Sequence, residues 1–416
     1  MDLQQFHDAL RNQRGLPKEL AFEESEYRAR IEKVRQSMGE KGLDVLLVTH
    51  IPNVCYLSGY QSFNSNRFAC VVLPIHGEPK LLASELEFGC ALLTSWVKDI
   101  RPVRGSNSPD LTAELMGTLS EQRSHPSTVA EVLDVLTELR MGRARIGVEI
   151  KRDGLTVEFY EGLKRALSNA TVLDASQVVA RQRAIKSPAE LDYMRHAAQI
   201  TKKGLDAVLP IIKPGITEND VAAVLSHALI KAGSEYYSLQ PIVTVEGGTF
   251  HTTYKRRPLQ VGQTVMMEFG GTYQRYTSGV MHTVAIGKPP VLFEKLARAS
   301  NEILDRTFAA VRPGRIAHDV AREVNGGLAN NLAEGYFYGG YGYSIGLHFG
   351  PSWGEEVAYI AEGINMELKP GMTFHQPVGI RIPGVACLGF SETWAVTENG
   401  CEILTEHDRT LTVAEA

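Results

Sequence analysis

Cysteine is scarce. Five in 416 residues (Cys55, Cys70, Cys90, Cys387, Cys401) are odd in number and scattered, with no Cys-x-x-Cys and no Cys/His cluster. That pattern argues against a disulfide scaffold or a structural zinc site, and predicts reduced thiols in a cytosolic protein. No apolar run approaches the roughly 18 residues a membrane helix needs. The N-terminal stretch MDLQQFHDALRNQRG lacks an apolar signal core, so a secreted or membrane-spanning chain is not expected. Basic excess is also missing: 43 Lys+Arg against 48 Asp+Glu leave a net charge of −5, which excludes a general nucleic-acid binder. What is present is ordinary globular composition, with 44% apolar and 22% charged residues, enough to bury sizeable cores and to exclude disorder.

At about 150 residues per domain the chain makes two or three domains. The first part reads as one α/β unit. Tyr27, Ile31, Val34 and Met38 share a helical face, Gly42 follows, and Val45–Val48 is an apolar run of strand length. Phe68–Leu73, closed by Pro74 and His76-Gly77-Glu78, and Arg145–Glu149 are further strand candidates. Ser187-Pro188-Ala189-Glu190 is a capping box with proline at the first helical position. It opens a helix that carries Leu191, Met194, Ala198, Thr201, Leu205 and Val208 on one side. The expected units are therefore 1–182 and 183–416. The second contains a repeat. Lys213-Pro-Gly-Ile-Thr-Glu-Asn-Asp220 and Arg312-Pro-Gly-Arg-Ile-Ala-His-Asp319 each end one helix and open another, and Gly262-Gln-Thr and Gly371-Met-Thr each start a strand. Matched order predicts a pseudo-two-fold α+β domain whose strand copies bring Glu268 near His375 and Gln376.

Polar groups recur in this half where a core would exclude them. His251 follows a flexible Gly247-Gly248 pair, and Glu268 sits inside Met266-Met267-Glu268-Phe269. Tyr341-Gly-Tyr343-Ser-Ile-Gly-Leu-His348 is a Gly-rich turn with two tyrosines and a histidine. His375 and Gln376 follow a strand start, and Glu392 lies between Phe390 and Trp394. A carboxylate in an apolar strand is pushed toward neutral pKa, which suits general acid/base chemistry. His76, His125 and His407 lie in turn-like or terminal contexts and read as solvated.

These stretches resemble the "pita-bread" family of creatinase, prolidase, aminopeptidase P and methionine aminopeptidase, over essentially the whole chain. The resemblance implies a duplicated α+β catalytic domain behind a smaller N-terminal α/β domain. The family's peptidases hold two divalent metals through two Asp, one His and two Glu. Here the Asp of "(I/V)D(F/I)G" falls on Glu268, the second Asp on Gly279, and the His of "GHGxG" on Tyr343. The Glu of "EP" falls on Gln376, and the Glu of "xEDxxxVTExG" is read as Glu392. Gly has no side-chain donor, and Tyr and Gln are poor ligands beside His and carboxylate, so these replacements imply no metal and no cofactor.

Creatinase is a metal-free member. His251 matches its proton-shuttling histidine, and Phe63 and Arg67 are similar to the phenylalanine and arginine that hold the substrate carboxylate from the partner subunit. Its two other carboxylates are Met281 and Gln376 here. Ectoine hydrolases, another metal-independent branch, resemble the chain more strongly, at Gly342–Leu347, Pro351–Glu355, Pro370–His375, Gly389–Glu392 and Met267-Glu268-Phe-Gly-Gly. In that group the last motif carries the catalytic Glu. Departures fall at His348, where the group has Asn, and at Gly248–Tyr254. The implied protein is a cytoplasmic, homodimeric, metal-free hydrolase that opens a C–N bond of a small zwitterionic cyclic amidine such as ectoine. Glu268 attacks or activates water, His251 moves protons, and Glu392 holds the cationic amidine. Tyr343, His348, His375 and Gln376 position the substrate, Arg67 and Phe63 take its carboxylate end, and Trp353 forms a wall. The competing readings are an Xaa-Pro metallopeptidase, a creatinase-like amidinohydrolase, a lyase on the same fold, and a binding protein without turnover.

Overall fold

The computed structural model describes residues 3–12, 17–65, 67–103, 128–245, 254–325, 336–337, 342–382 and 386–415. It divides into two compact units, Met1–Arg183 and Ala184–Ala416. Among the described residues, no helix is long and apolar enough to cross a membrane.

The first unit is built on six strands: β1 (Val45–Val48), β2 (Ala69–Pro74), β3 (Lys80–Ser84), β4 (Asp99–Val103), β5 (Arg145–Val148) and β6 (Thr171–Asp174). Their order is β4-β3-β2-β1-β5-β6. β1 pairs antiparallel with β2 and parallel with β5, so it lies inside the sheet and all four of its residues are buried. The helix Glu24–Glu40 buries Tyr27, Ile31, Val34 and Met38, the face expected from their spacing. A buried acid organises the next helix. Glu149 accepts hydrogen bonds from the backbone N–H groups of Thr49 and His50 and from Asn53 Nδ2, at the start of Ile51–Ser58. An anion there meets the positive end of the helix dipole.

In the second unit Ser187 caps Pro188–Val208 in the reciprocal arrangement with Glu190, and the repeat is visible down to single hydrogen bonds. The helices Pro188–Val208 and Glu218–Lys231 open the first half, and Val291–Ala310 and Ala317–Asn325 open the second. Gly215 and Gly314, in the two Pro-Gly turns, have φ of +91° and +82°, a conformation glycine reaches without strain. Gly215 N–H donates to Leu259 O, and Gly314 N–H donates to Leu368 O, its counterpart. The bridges Thr217↔Pro258 and Ile316↔Glu367 repeat the same relation.

Each half contributes a sheet. The first holds β7 (Tyr237–Val245), β8 (Thr264–Tyr273), β9 (Tyr276–Thr277) and β10 (Val280–Ile286). The second holds β11 (Tyr336–Phe337), β12 (Tyr343–Ile345), β13 (Gly354–Tyr359), β14 (Thr373–Ile382), β15 (Ala386–Val396) and β16 (Cys401–Ile403). β17 (Thr412–Ala414) returns to pair in parallel with β10. The strand orders are β17-β10-β8-β7 and β13-β12-β14-β15-β16, with β9 beside β8 and β11 beside β14. The copies β8 and β14 are therefore not neighbours; β10 and β15 lie between them. Those two strands are joined by threonines. Thr393 Oγ1 donates to Gly279 O and accepts from Gly279 N–H, and Thr283 Oγ1 does the same with Gly389.

One face of each sheet is packed under its helix pair. Val265, Met267, Phe269, Val280 and Val284 bury against Leu205, Val221, Leu225 and Leu229. Phe374, Val378, Ile380, Leu388, Phe390 and Trp394 bury against Ile303, Leu304, Val320 and Val324. Because side chains alternate along a strand, the intervening residues line the opposite face, where Met266, Met281, Cys387 and Ile242 form a small cluster. The α+β architecture expected from the repeat is present.

Candidate active site

Glu268 belongs to that opposite face. It pairs across the ladder with Met281 on one side and Ile242 on the other, and it is 5% exposed. Among the described residues its carboxylate has no hydrogen-bond partner. Burial alone lifts its pKa to about 7.

A chain of hydrogen bonds lies within reach of its charge. Trp353 Nε1 donates to Tyr343 Oη at 2.7 Å, and Tyr343 Oη lies 2.8 Å from His375 Nδ1. His375 Nε2 lies 2.8 Å from Ser391 Oγ. The His375 ring meets Tyr343 and Trp353 edge-on, with centroids 5.3 and 4.8 Å apart. Fully buried, His375 has its pKa driven down to about 3, so the imidazole is neutral. Tyr343 is raised well above the ordinary phenol value, first by burial and then by the charge of Glu268. Cys387 is also pushed up, to about 12, mainly by burial, with Glu268 again contributing, so it stays a thiol. Trp353 has a further contact. A Cβ placed on Gly279 would fall 2.6 Å from the indole ring, so the tryptophan fills the space a side chain at 279 would need.

The sequence-selected residues separate into groups. Glu268, Tyr343, Trp353 and His375 come together. Glu392 and Gln376 do not join them, and the unbroken β14/β15 register explains why. Gln376↔Glu392 is a cross-strand pair on the helix-covered face, whereas Pro377↔Ser391 is a pair on the face of Glu268. Gln376 Nε2 donates to Thr307 Oγ1 of the helix Val291–Ala310. Glu392 accepts from Thr405 Oγ1 at 2.7 Å and lies 3.1 Å from His407 Nδ1 and 3.6 Å from Arg409 Nε. Glu392, expected to act in catalysis by holding the amidine, thus sits in an ionic cluster on the helix-covered face, and Gln376, expected to position the substrate, sits beside it there. His407, read as solvated, has a side chain only 5% exposed against that acid.

Counting back from Val396-Thr-Glu shows what was missed: the Glu of the "xEDxxxVTE" pattern falls on Ser391 and its Asp on Glu392. That count was available in the sequence. The Cys387 wall and the threonine stitches had no local signal. His348 directs Nδ1 to the carbonyl oxygens of Phe349 and Ser352, at 2.7 and 2.9 Å, and so ties its own loop. Phe63, 94% exposed, and Arg67, half-buried, belong to the first unit. His251 lies outside the described residues.

Beneath the Tyr343 strand sits a buried ion pair. Lys186 Nζ is 2.5 Å from Glu355 Oε2, both side chains are 1% exposed, and Glu355 Oε1 accepts from Leu347 N–H. Gly346 passes so close that a Cβ there would lie 2.7 Å from both Glu355 Oε1 and Lys186 Cε.

A two-sheet, pseudo-symmetric domain with a buried acid on the sheet face away from its helix pairs, preceded in the chain by an α/β unit, defines a class of hydrolase. Residues 192–398 match the metallopeptidase family M24, and residues 30–185 match the creatinase/prolidase N-terminal domain. The chain belongs to family M24 and is a hydrolase of that family. It is 28% identical over 411 residues to ectoine hydrolase from Halomonas elongata, an alignment that covers 95% of this chain and 98% of that one. Among solved structures it is similar to dipeptidase PepE from Mycobacterium ulcerans, with TM-score 0.76 and 27% identity over 95% of this chain and 100% of that one. An Xaa-Pro dipeptidase from Bacillus anthracis, at TM-score 0.76 and 22% identity, covering 93% of this chain and 100% of that one, shares the fold.

Proposed function

We propose that this chain is a metal-independent hydrolase that opens a C–N bond of a small zwitterionic cyclic amidine, with ectoine or a close analogue as the substrate. The observation that carries the reading is Glu268: a buried carboxylate, unpaired among the described residues, with a pKa of about 7, walled by Met266, Met281, Cys387 and Ile242. Such a group has little use as a structural ion pair. It is poised to give up and take back a proton, or to attack an electrophilic carbon, at neutral pH. A cationic amidine supplies both the electrophilic carbon and the charge that favours the carboxylate form.

The donor set does not fit the two metals of the family's peptidases. Position 279 has no side chain and its space is taken by Trp353. Tyr343 is engaged by Trp353 and His375. The sheet face beside His375 presents Pro377 and Ser391. In the reaction one water adds across the amidine: Glu268 attacks the ring carbon or takes the proton of the water that does. Tyr343 donates a hydrogen bond to the oxygen added at that carbon as negative charge develops on it, and the C–N bond then breaks as the leaving nitrogen takes up the proton removed from the water; on the covalent route water then cleaves the bond to Glu268. His251, in the role the resemblance gives it, shuttles protons. Arg67 and Phe63 of a second subunit, taking the substrate carboxylate, belong to the same proposal and rest on the resemblance, as does a cytoplasmic homodimer.

The similarity to dipeptidases keeps an Xaa-Pro peptidase as the rival. The test is a mass-spectrometric screen of ectoine, hydroxyectoine, creatine, small lactams and Xaa-Pro dipeptides, with and without EDTA. Ring opening of a cyclic amidine that survives EDTA supports the proposal. Dipeptide cleavage that needs stoichiometric Mn or Zn refutes it.

A further inference from the structure

We propose that Ser391 is a positioning residue: its hydroxyl sets the tautomer of His375 and thereby frees the phenol hydrogen of Tyr343 for the substrate. The role in turnover rests on the function proposed above; the tautomer does not.

The assignment follows from counting donors and acceptors in the chain Trp353–Tyr343–His375–Ser391, of which Tyr343 alone is partly exposed. An indole N–H only donates, so Tyr343 Oη accepts from Trp353 Nε1. A neutral imidazole carries one hydrogen, so one ring nitrogen donates and the other accepts. Ser391 and Tyr343 contact opposite nitrogens of the same ring. Their roles are therefore opposed: when one hydroxyl donates to the ring, the other accepts from it.

Ser391 decides between the two arrangements. It is fully buried, and among the described residues its hydroxyl has one hydrogen-bond partner, His375 Nε2. Each arrangement leaves one hydroxyl hydrogen without an acceptor among the described residues: that of Ser391 if Nε2 carries the ring hydrogen, that of Tyr343 if Nδ1 does. Ser391 is fully buried whereas Tyr343 is partly exposed, and an unspent donor costs most where no other molecule can reach it, so the first arrangement is the one avoided. With Ser391 donating to Nε2, the imidazole hydrogen sits on Nδ1 and is donated to Tyr343 Oη. That oxygen then takes two N–H bonds, from Trp353 and His375. Its own hydrogen has no acceptor among the described side chains and is available to a bound molecule beside Glu268. Two N–H donors on the phenol oxygen also make its O–H a stronger donor.

The test uses the full-length chain labelled with 15N-histidine. The His375 ring signals are assigned by their loss in H375Q, and the tautomer is read from the two nitrogen shifts. Wild type is expected to show neutral His375 with hydrogen on Nδ1 between pH 6 and 8. S391A is expected to show mixed tautomers and to lower kcat about tenfold, the scale of one buried hydrogen bond, with KM changed less than about twofold. S391T, which restores a hydroxyl, is expected to recover both. Hydrogen on Nε2 in wild type, an unaltered pure tautomer in S391A, or equal kcat losses in S391A and S391T each overturn the proposal. A wild type that opens no candidate ring would remove the proposed function, while the nitrogen shifts still decide the tautomer.

Discussion

Replacing Glu268 by glutamine separates the acid's cost to the fold from its use in the reaction. Glutamine keeps the shape and cannot ionise. Burial raises the folded-state pKa of Glu268 from 4.5 to about 7. At about 1.4 kcal/mol per pH unit, that difference is about 3 kcal/mol between the two protonation states. The sign follows from the direction. Folding favours the protonated acid, so below about pH 4.5 the native state bears no ionisation penalty. As pH rises through about 7 the buried group must ionise, and stability is lost. The stability of wild type relative to E268Q should therefore fall by up to about 3 kcal/mol between pH 4.5 and 8, in favour of the glutamine variant. Activity should move the other way. The carboxylate is the reactive form, so wild-type kcat/KM should rise with pH up to a midpoint near 7, and E268Q should lose about 10²- to 10⁴-fold at pH 8. Urea unfolding of both proteins across this range, beside the pH–rate profile, tests both halves. A pH-independent stability difference, or a rate midpoint near 4.5, would refute the claim that desolvation tunes this acid.

Other perturbations follow from the same geometry. E392Q should lower stability by about 1–3 kcal/mol, because it weakens the charged bonds to Thr405, His407 and Arg409. Its kcat/KM should stay within about threefold of wild type; a loss of kcat as large as that of E268Q would return Glu392 to the site. K186M should cost about 3–5 kcal/mol in denaturant melts by leaving Glu355 buried and unpaired. The double variant K186M/E355L should recover most of that, and equal losses in single and double variants would show that the pair is not coupled. G279A should cost about 1–3 kcal/mol in thermal unfolding, since its methyl meets the Trp353 ring; a neutral substitution would contradict the packing of Trp353 on Gly279.

Much of the architecture was legible because it rests on local rules. The capping box at Ser187 and the apolar face of Tyr27, Ile31, Val34 and Met38 each depend on residues three or four apart. The paired Pro-Gly turns revealed the duplication because each half repeats the same hydrogen bonds around its own turn. Glu268 stood out for a similarly local reason: a charged residue inside an apolar strand is conspicuous whatever surrounds it.

What the sequence determined by itself was the set of elements, the duplication and one anomalous acid. The tertiary structure decided which side of the sheet each neighbour faces. A strand turns its side chain over at every residue, so reading Glu392 rather than Ser391 as the motif's acid moved a side chain from the site to the helix-covered face. The structure also decided what fills the space at Gly279, because Trp353 lies in another loop and reaches it only when the two half-sheets are folded together. The hydrogen-bond chain from Trp353 to Ser391 is of the same kind: its members come from β12, the turn before β13, β14 and β15, and only the paired strands bring each within 3 Å of the next.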